Sequence, residues 1–176
     1  MKSNAQDTLR RFFAGVTEYA FHARMGVADP PLIDYLSELL TRFVRCDAVY
    51  RIRDLTGRRL TEVARMLAEA NHRVGVPRRE VHRHVGDFTL FWTGVYPEAL
   101  QHMQGESSKD HLIDYTAQGK RAYYIASTMR NDQNAQECDV LERISLQFEL
   151  CAFGLNEIRR EWERRDPGQV ARIWTN

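Results

Sequence analysis

The stretch 77-PRREVHRHVGDFTLFWTGVYPEAL-100 decides the fold of this chain. At 100° per residue, Val81, Val85, Phe88, Trp92, Val95 and Ala99 fall on one line, with His84 and Phe91 at its edge. A stripe of this kind predicts an amphipathic helix over 77–100 lying against a core. Glu80, Arg83, Asp87 and Gly94 run along one flank of the stripe, and His82, Thr89 and Thr93 along the other. The first flank therefore sets titratable groups directly beside apolar ones.

The neighbouring segments repeat the helical period. Leu9, Phe12, Phe13, Val16, Tyr19 and Ala20 predict a helix over 7–24, which Gly26 and the turn before Pro30 and Pro31 close. Leu32, Leu36, Leu39 and Phe43, with Ile33, Leu40 and Val44 beside them, predict a second over 31–49 with Pro31 in its first turn. Tyr50–Arg53 alternates like a strand and DLTG resembles a hairpin turn, but no partner strands are evident elsewhere. A loop before a helix over 59–71 is the expected form. Beyond residue 100 the polar run MQGESSKD is a loop and the expected mobile segment, followed by a helix over 110–128.

The most regular pattern lies over 136–165, where Leu141, Ile144, Phe148, Cys151, Leu155, Ile158 and Trp162 alternate at three and four. That is a seam of coiled-coil type. Leu146, Leu150 and Phe153 occupy nearly the opposite side, so this helix is expected either in the middle of a bundle or against another subunit. Residues 166–176 follow as a loose tail or a strap anchored by Ile173 and Trp174. The resulting expectation is an all-α, single-domain bundle of about six helices.

Composition narrows the function classes. A chain of 176 residues suits one domain, and 25 basic against 24 acidic residues, net +1, give no general pull toward nucleic acid. The Arg-rich run near 158–165 interleaves Glu157, Glu161 and Glu163 at ion-pair spacing, as a solvated face does. No apolar run approaches the roughly 20 residues of a membrane span. Cys46, Cys138 and Cys151 show neither CxxC nor zinc-ribbon spacing, which fits a reduced, cytoplasmic setting. No Gly-rich phosphate loop, dinucleotide fingerprint or Gly-x-Ser-x-Gly elbow is present.

Chemistry is expected on the 80–87 flank. Glu80, His84 and Asp87 are spaced four and three, and carboxylate, imidazole and carboxylate form a ligand set that helical bundles use for iron, manganese or zinc. A purely structural alternative pairs Asp87 with Arg83 and His84 with Glu80, in which case Asp87→Ala costs on the order of 1 to 3 kcal/mol. His82 and His84 point about 200° apart on a helix and cannot share a metal. Glu69-Ala-Asn-His72 is a single Glu-x-x-His where di-iron bundles need two. Tyr115, Lys120 and Tyr123 on the 110–128 helix complete the candidate ligand-binding set, Lys120 lying beside Gly119 where a ligand or a helix can approach closely. Two functions are expected from these features. One is a self-associating interaction or scaffold protein, a homodimer through the 136–165 helix; the other is a bundle enzyme or sensor binding a metal or small molecule beside Glu80, His84 and Asp87.

Overall fold

The computed structural model describes residues 2–44 and 46–165. Among them the chain is all-α in nine helices: α1 Lys2–Glu18, continued by a π-helical turn Tyr19–Arg24, α2 Pro30–Phe43, α3 Cys46–Val49, α4 Val63–Asn71, α5 Gly75–Gly94, α6 Leu100–Met103, α7 Tyr115–Thr128, α8 Ala135–Leu146 and α9 Phe148–Arg165. A short 3-10 turn, Pro97–Ala99, leads into α6. None of these helices is long and apolar enough to cross a membrane. The expected tail, with Ile173 and Trp174, lies outside the described residues.

Helix α5 occupies the centre. It packs most extensively against α7, then α4 and α9, and touches α2, while α8 lies along α7 and α1 along α2. Enclosure on this scale changes the expectation of a one-sided helix. His82, His84, Asp87 and Thr89 are buried along with Val81, Val85, Phe88, Leu90 and Phe91, so polar positions of α5 face protein as well as apolar ones. The threonine hydroxyls return to their own helix, Thr89 donating to the Val85 carbonyl at 2.8 Å and Thr93 to the Thr89 carbonyl at 2.7 Å.

Close helix approach depends on absent side chains. A Cβ on Gly86 would stand 2.7 Å from the Tyr123 ring, one on Gly119 would strike Thr89 and Phe148, and one on Gly154 would strike the Phe21 ring. These three glycines let α7 and α9 settle against α5 and against the end of α1.

Several boundaries differ from the pattern for physical reasons. The expected 31–49 helix divides into α2 and α3. The expected 59–71 helix starts at Val63, because Asp54 turns the chain by accepting from Thr56 N at 2.8 Å and Arg58 N at 3.1 Å. That turn closes a single antiparallel bridge, Arg53 with Arg59, which is all that becomes of the strand-like alternation. The 110–128 helix starts at Tyr115, with Asp114 as its N-cap, since Asp110 serves elsewhere. Both Asp110 oxygens accept at the start of α4, from Val63 N and Ala64 N at 2.8 Å each, and one also accepts the Tyr115 hydroxyl at 2.6 Å. Orphan amides at that helix start thus receive a buried acceptor from a distant loop. The polar loop expected to be mobile is therefore tied down at its far end, where Glu62 accepts from Lys109 N at 2.9 Å.

The expected 136–165 helix breaks at Gln147 into α8 and α9. Hydrogen bonds from Gln147 N to Arg143 O and from Cys151 N to Gln147 O, both 2.9 Å, carry the helical spacing across the break. Every residue of the predicted seam is accordingly buried: Leu141, Ile144, Phe148, Cys151, Leu155, Ile158 and Trp162. Cys138 and Cys151 are free, buried thiols, and burial pushes the Cys151 thiol up to about 12.

Candidate functional site

The Glu80, His84 and Asp87 side chains leave α5 from neighbouring turns, but each goes to a different set of partners. Asp87 is fully buried. Its Oδ1 accepts the Tyr35 hydroxyl at 2.6 Å and the Tyr123 hydroxyl at 2.8 Å, and Oδ2 accepts Arg42 Nη2 at 3.1 Å. Burial by itself would raise this carboxyl. The Arg42 and Arg83 guanidiniums and the two tyrosine hydroxyls outweigh it and hold the group below the usual carboxylate range. Both tyrosines are raised well above theirs, by burial and by the carboxylate they face. Gly86 makes this arrangement possible, since the Tyr123 ring crosses α5 where any Cβ would stand.

His84 turns the other way. Its Nε2 lies 2.9 Å from the Val49 carbonyl and its Nδ1 accepts Arg51 Nε at 3.2 Å, which fixes the neutral Nε2–H tautomer. Burial first, then Arg51, lowers this imidazole to about 4. Glu80 faces Arg83 at 2.8 Å, Arg79 at 3.3 Å and Arg51 at 3.4 Å. Glu137 of α8 completes the cluster, bridging Arg79 at 2.6 Å and Arg83 at 2.8 Å. The simple pairs Asp87–Arg83 and His84–Glu80 are thereby replaced: Arg83 spans Glu80 and Glu137, and Arg42 takes Asp87. Among the described residues no three His, Cys, Asp or Glu side chains are placed to hold a metal ion.

The three residues of α7 separate as well. Tyr123 joins Asp87, Tyr115 joins Asp110, and Lys120 reaches outward to Glu149, its Nζ 2.8 Å and 3.2 Å from the two carboxylate oxygens. The Tyr115 hydroxyl is raised by burial and by Asp110. Lys120 and Tyr115 therefore share no site with the Asp87 cluster.

The opposite flank of α5 carries a different arrangement. His82 is 4% exposed, and no protein group hydrogen-bonds either of its ring nitrogens. The ring lines a cavity of about 210 Å³ between α4, α5 and α7, whose other walls are Leu67, Asn71, Arg78, Gln118, Arg121, Ala122 and Ile125. Burial, then Arg78 and Arg121, lower this imidazole from its ordinary value. A larger groove of about 500 Å³ runs between α2 and α8 past Asp34, Tyr35, Glu38, Glu137 and Asp139. Most of its acids already have cations: Glu38 holds Arg10, Glu137 holds Arg79 and Arg83, and Asp139 holds Arg130. The smaller cavity is set apart by a buried imidazole with neither ring nitrogen bonded by protein.

The helical period places His82 on this flank but indicates no role for it, because the α4 residues Leu67 and Asn71 that enclose it lie in another segment. Tyr35, Arg42 and Glu137 were likewise missed. The available signal for the first two was their seven-residue spacing, which puts them on one side of α2. A third feature lies on the outer side of α8 and α9, where Leu146 is 72%, Phe153 55% and Leu150 38% exposed. Comparison of the chain with protein-family models, with curated proteins and with solved structures finds no match.

Proposed function

We propose that this chain is a small-molecule-binding helical bundle whose site is the cavity on the His82 flank of α5. The supporting observation is the His82 ring, buried with both nitrogens unpartnered by protein and set in a concavity. Buried polar groups without partners are uncommon in folded proteins, and a ligand is one of the few things that accounts for them. By contrast, the Glu80, His84 and Asp87 side chains have their hydrogen bonds supplied from within the chain. The volume lies below the roughly 300–1,000 Å³ of sites for drug-sized ligands, so the occupant is small.

A thermal-shift screen of a chemically mixed fragment set, followed by histidine side-chain NMR, tests this reading. A ligand at about 100 times its Kd stabilises by about 2.7 kcal/mol, which for a domain of this size raises Tm by roughly 5–10 °C. Bound fragments are expected to shift the His82 ring signals. A set in which no fragment moves either Tm or His82 overturns the reading.

A second reading, self-association through α8 and α9, is favoured by exposed Leu146, Leu150 and Phe153 lying together near the break at Gln147. Sedimentation velocity at micromolar concentration tests it. A dimer that Phe153→Asp dissociates supports it, and a strict monomer removes it.

A further inference from the structure

We infer that the cavity beside His82 takes a small organic acid, its oxyanion head held between Arg78 and Arg121 and its short apolar part against Leu67 and Ile125. This assignment of ligand class rests on the reading of the cavity as a binding site. The walls carry two guanidiniums and no carboxylate. Among the described residues neither Arg78 nor Arg121 has an ion-pair partner, although most cations in this charge-balanced chain are paired. Arg78 Nε is itself buried and without a hydrogen-bond partner.

The two arginines come from different helices, the first turn of α5 and the middle of α7, and both act on the same ring: each lowers the His82 imidazole. Positive potential from both guanidiniums therefore reaches the His82 ring that lines the cavity. A cation entering there meets repulsion from both guanidiniums, and a neutral molecule leaves their charge uncompensated. A carboxylate or a phosphoryl group accepts from both forks, a geometry for which guanidinium is suited. Asn71 and Gln118 add amide donors at the wall, and a His82 N–H supplies one more. Leu67, Ala122 and Ile125 give the remaining wall an apolar character that a bare inorganic anion does not use. The volume of about 210 Å³ excludes a nucleotide or a lipid chain of ordinary length.

Calorimetric titration of the full chain with acetate, butanoate, hexanoate and inorganic phosphate separates the elements of this proposal. One-to-one binding that tightens from acetate to hexanoate, with phosphate weaker than hexanoate, is the expected result. Arg121→Gln and Arg78→Gln are each expected to weaken hexanoate about tenfold or more, as loss of a charge-assisted hydrogen bond does. Arg121 is exposed and unpaired, so Arg121→Gln should leave Tm of the free protein unchanged, which separates a loss of binding from a loss of folding. Phosphate binding as tightly as hexanoate would overturn the organic part of the assignment. Unchanged hexanoate affinity in both arginine variants, or no heat with any of the four anions, would overturn the assignment as a whole. If neutral or cationic fragments shift the His82 ring signals while these anions do not, the ligand class is wrong and the cavity remains a binding site. If nothing shifts them, both readings fail together.

Discussion

Replacing Asp87 with alanine tests whether the cluster at the centre of α5 holds the bundle together. The carboxylate is fully buried and accepts from Tyr35 at 2.6 Å, Tyr123 at 2.8 Å and Arg42 at 3.1 Å. Its removal strands the Tyr123 hydroxyl, which is 0% exposed, at roughly 1–3 kcal/mol. Tyr35 loses a partner at the edge of the core. Arg42 loses its counter-ion, though its side chain is 33% exposed and can turn to water. Arg83 keeps Glu80 and Glu137 and adds little to the loss. Together these terms give about 3–5 kcal/mol, the range for breaking a buried pair from one side. This exceeds the expectation from a lone Asp87–Arg83 pair because three groups, from two other helices, converge on one carboxylate. For a domain of this size Tm should fall by roughly 6–20 °C. Urea denaturation at pH 7, followed by circular dichroism, measures the free energy. Tyr123→Phe alone should cost about 1 kcal/mol, and the double variant should fall short of additivity by about 0.5–3 kcal/mol. A loss below about 1 kcal/mol for Asp87→Ala, or strict additivity with Tyr123→Phe, would refute the cluster as a source of stability.

Gly86→Ala places a methyl 2.7 Å from the Tyr123 ring and should cost about 1–3 kcal/mol in a urea melt, while an exposed Gly15→Ala, with open space around its Cβ, should cost nothing or stabilise. Acid sensitivity follows from His84, whose folded value is about 4 against an ordinary 6.5. Between those values the unfolded chain binds more protons, so stability is full above pH 6.5 and declines toward pH 4 by about 3 kcal/mol. Stability measured across that window should show this slope, and His84→Gln should flatten it to the residual part owed to His82 and, toward pH 4, to lowered carboxylates such as Asp87 and Glu137, all of which act in the same direction. A slope unchanged in His84→Gln contradicts the assignment. Asp110→Ala, which uncaps α4 and frees the Tyr115 hydroxyl, should lose about 2–4 kcal/mol and speed amide exchange at Val63 and Ala64; unaltered exchange there would count against the capping role.

The helical periods along the chain determined the fold class. Apolar spacing is a local property, so the Val81–Val85–Phe88 line and the seam from Leu141 to Trp162 read directly as buried faces, and both are buried. The enclosure of α5 on its polar side as well was not legible in this way, because a one-sided stripe does not announce that His82, Asp87 and Thr89 are covered by other helices. Helix ends were only partly legible, because Asp110 reaches α4 from 46 and 47 residues away and no local pattern announces such a cap. Site chemistry was the least legible. Spacing placed Glu80, His84 and Asp87 on one flank, yet it carries no information on which other helix supplies their partners. Tertiary packing brought Tyr35, Arg42 and Tyr123 to Asp87, Arg51 and the Val49 carbonyl to His84, and Glu137 to Arg79 and Arg83. On the other flank it brought two arginines near His82 without giving the ring a bond. A side chain's chemistry depends on whether its hydrogen bonds and charge are met, and in a bundle that is decided by neighbouring helices rather than by its own.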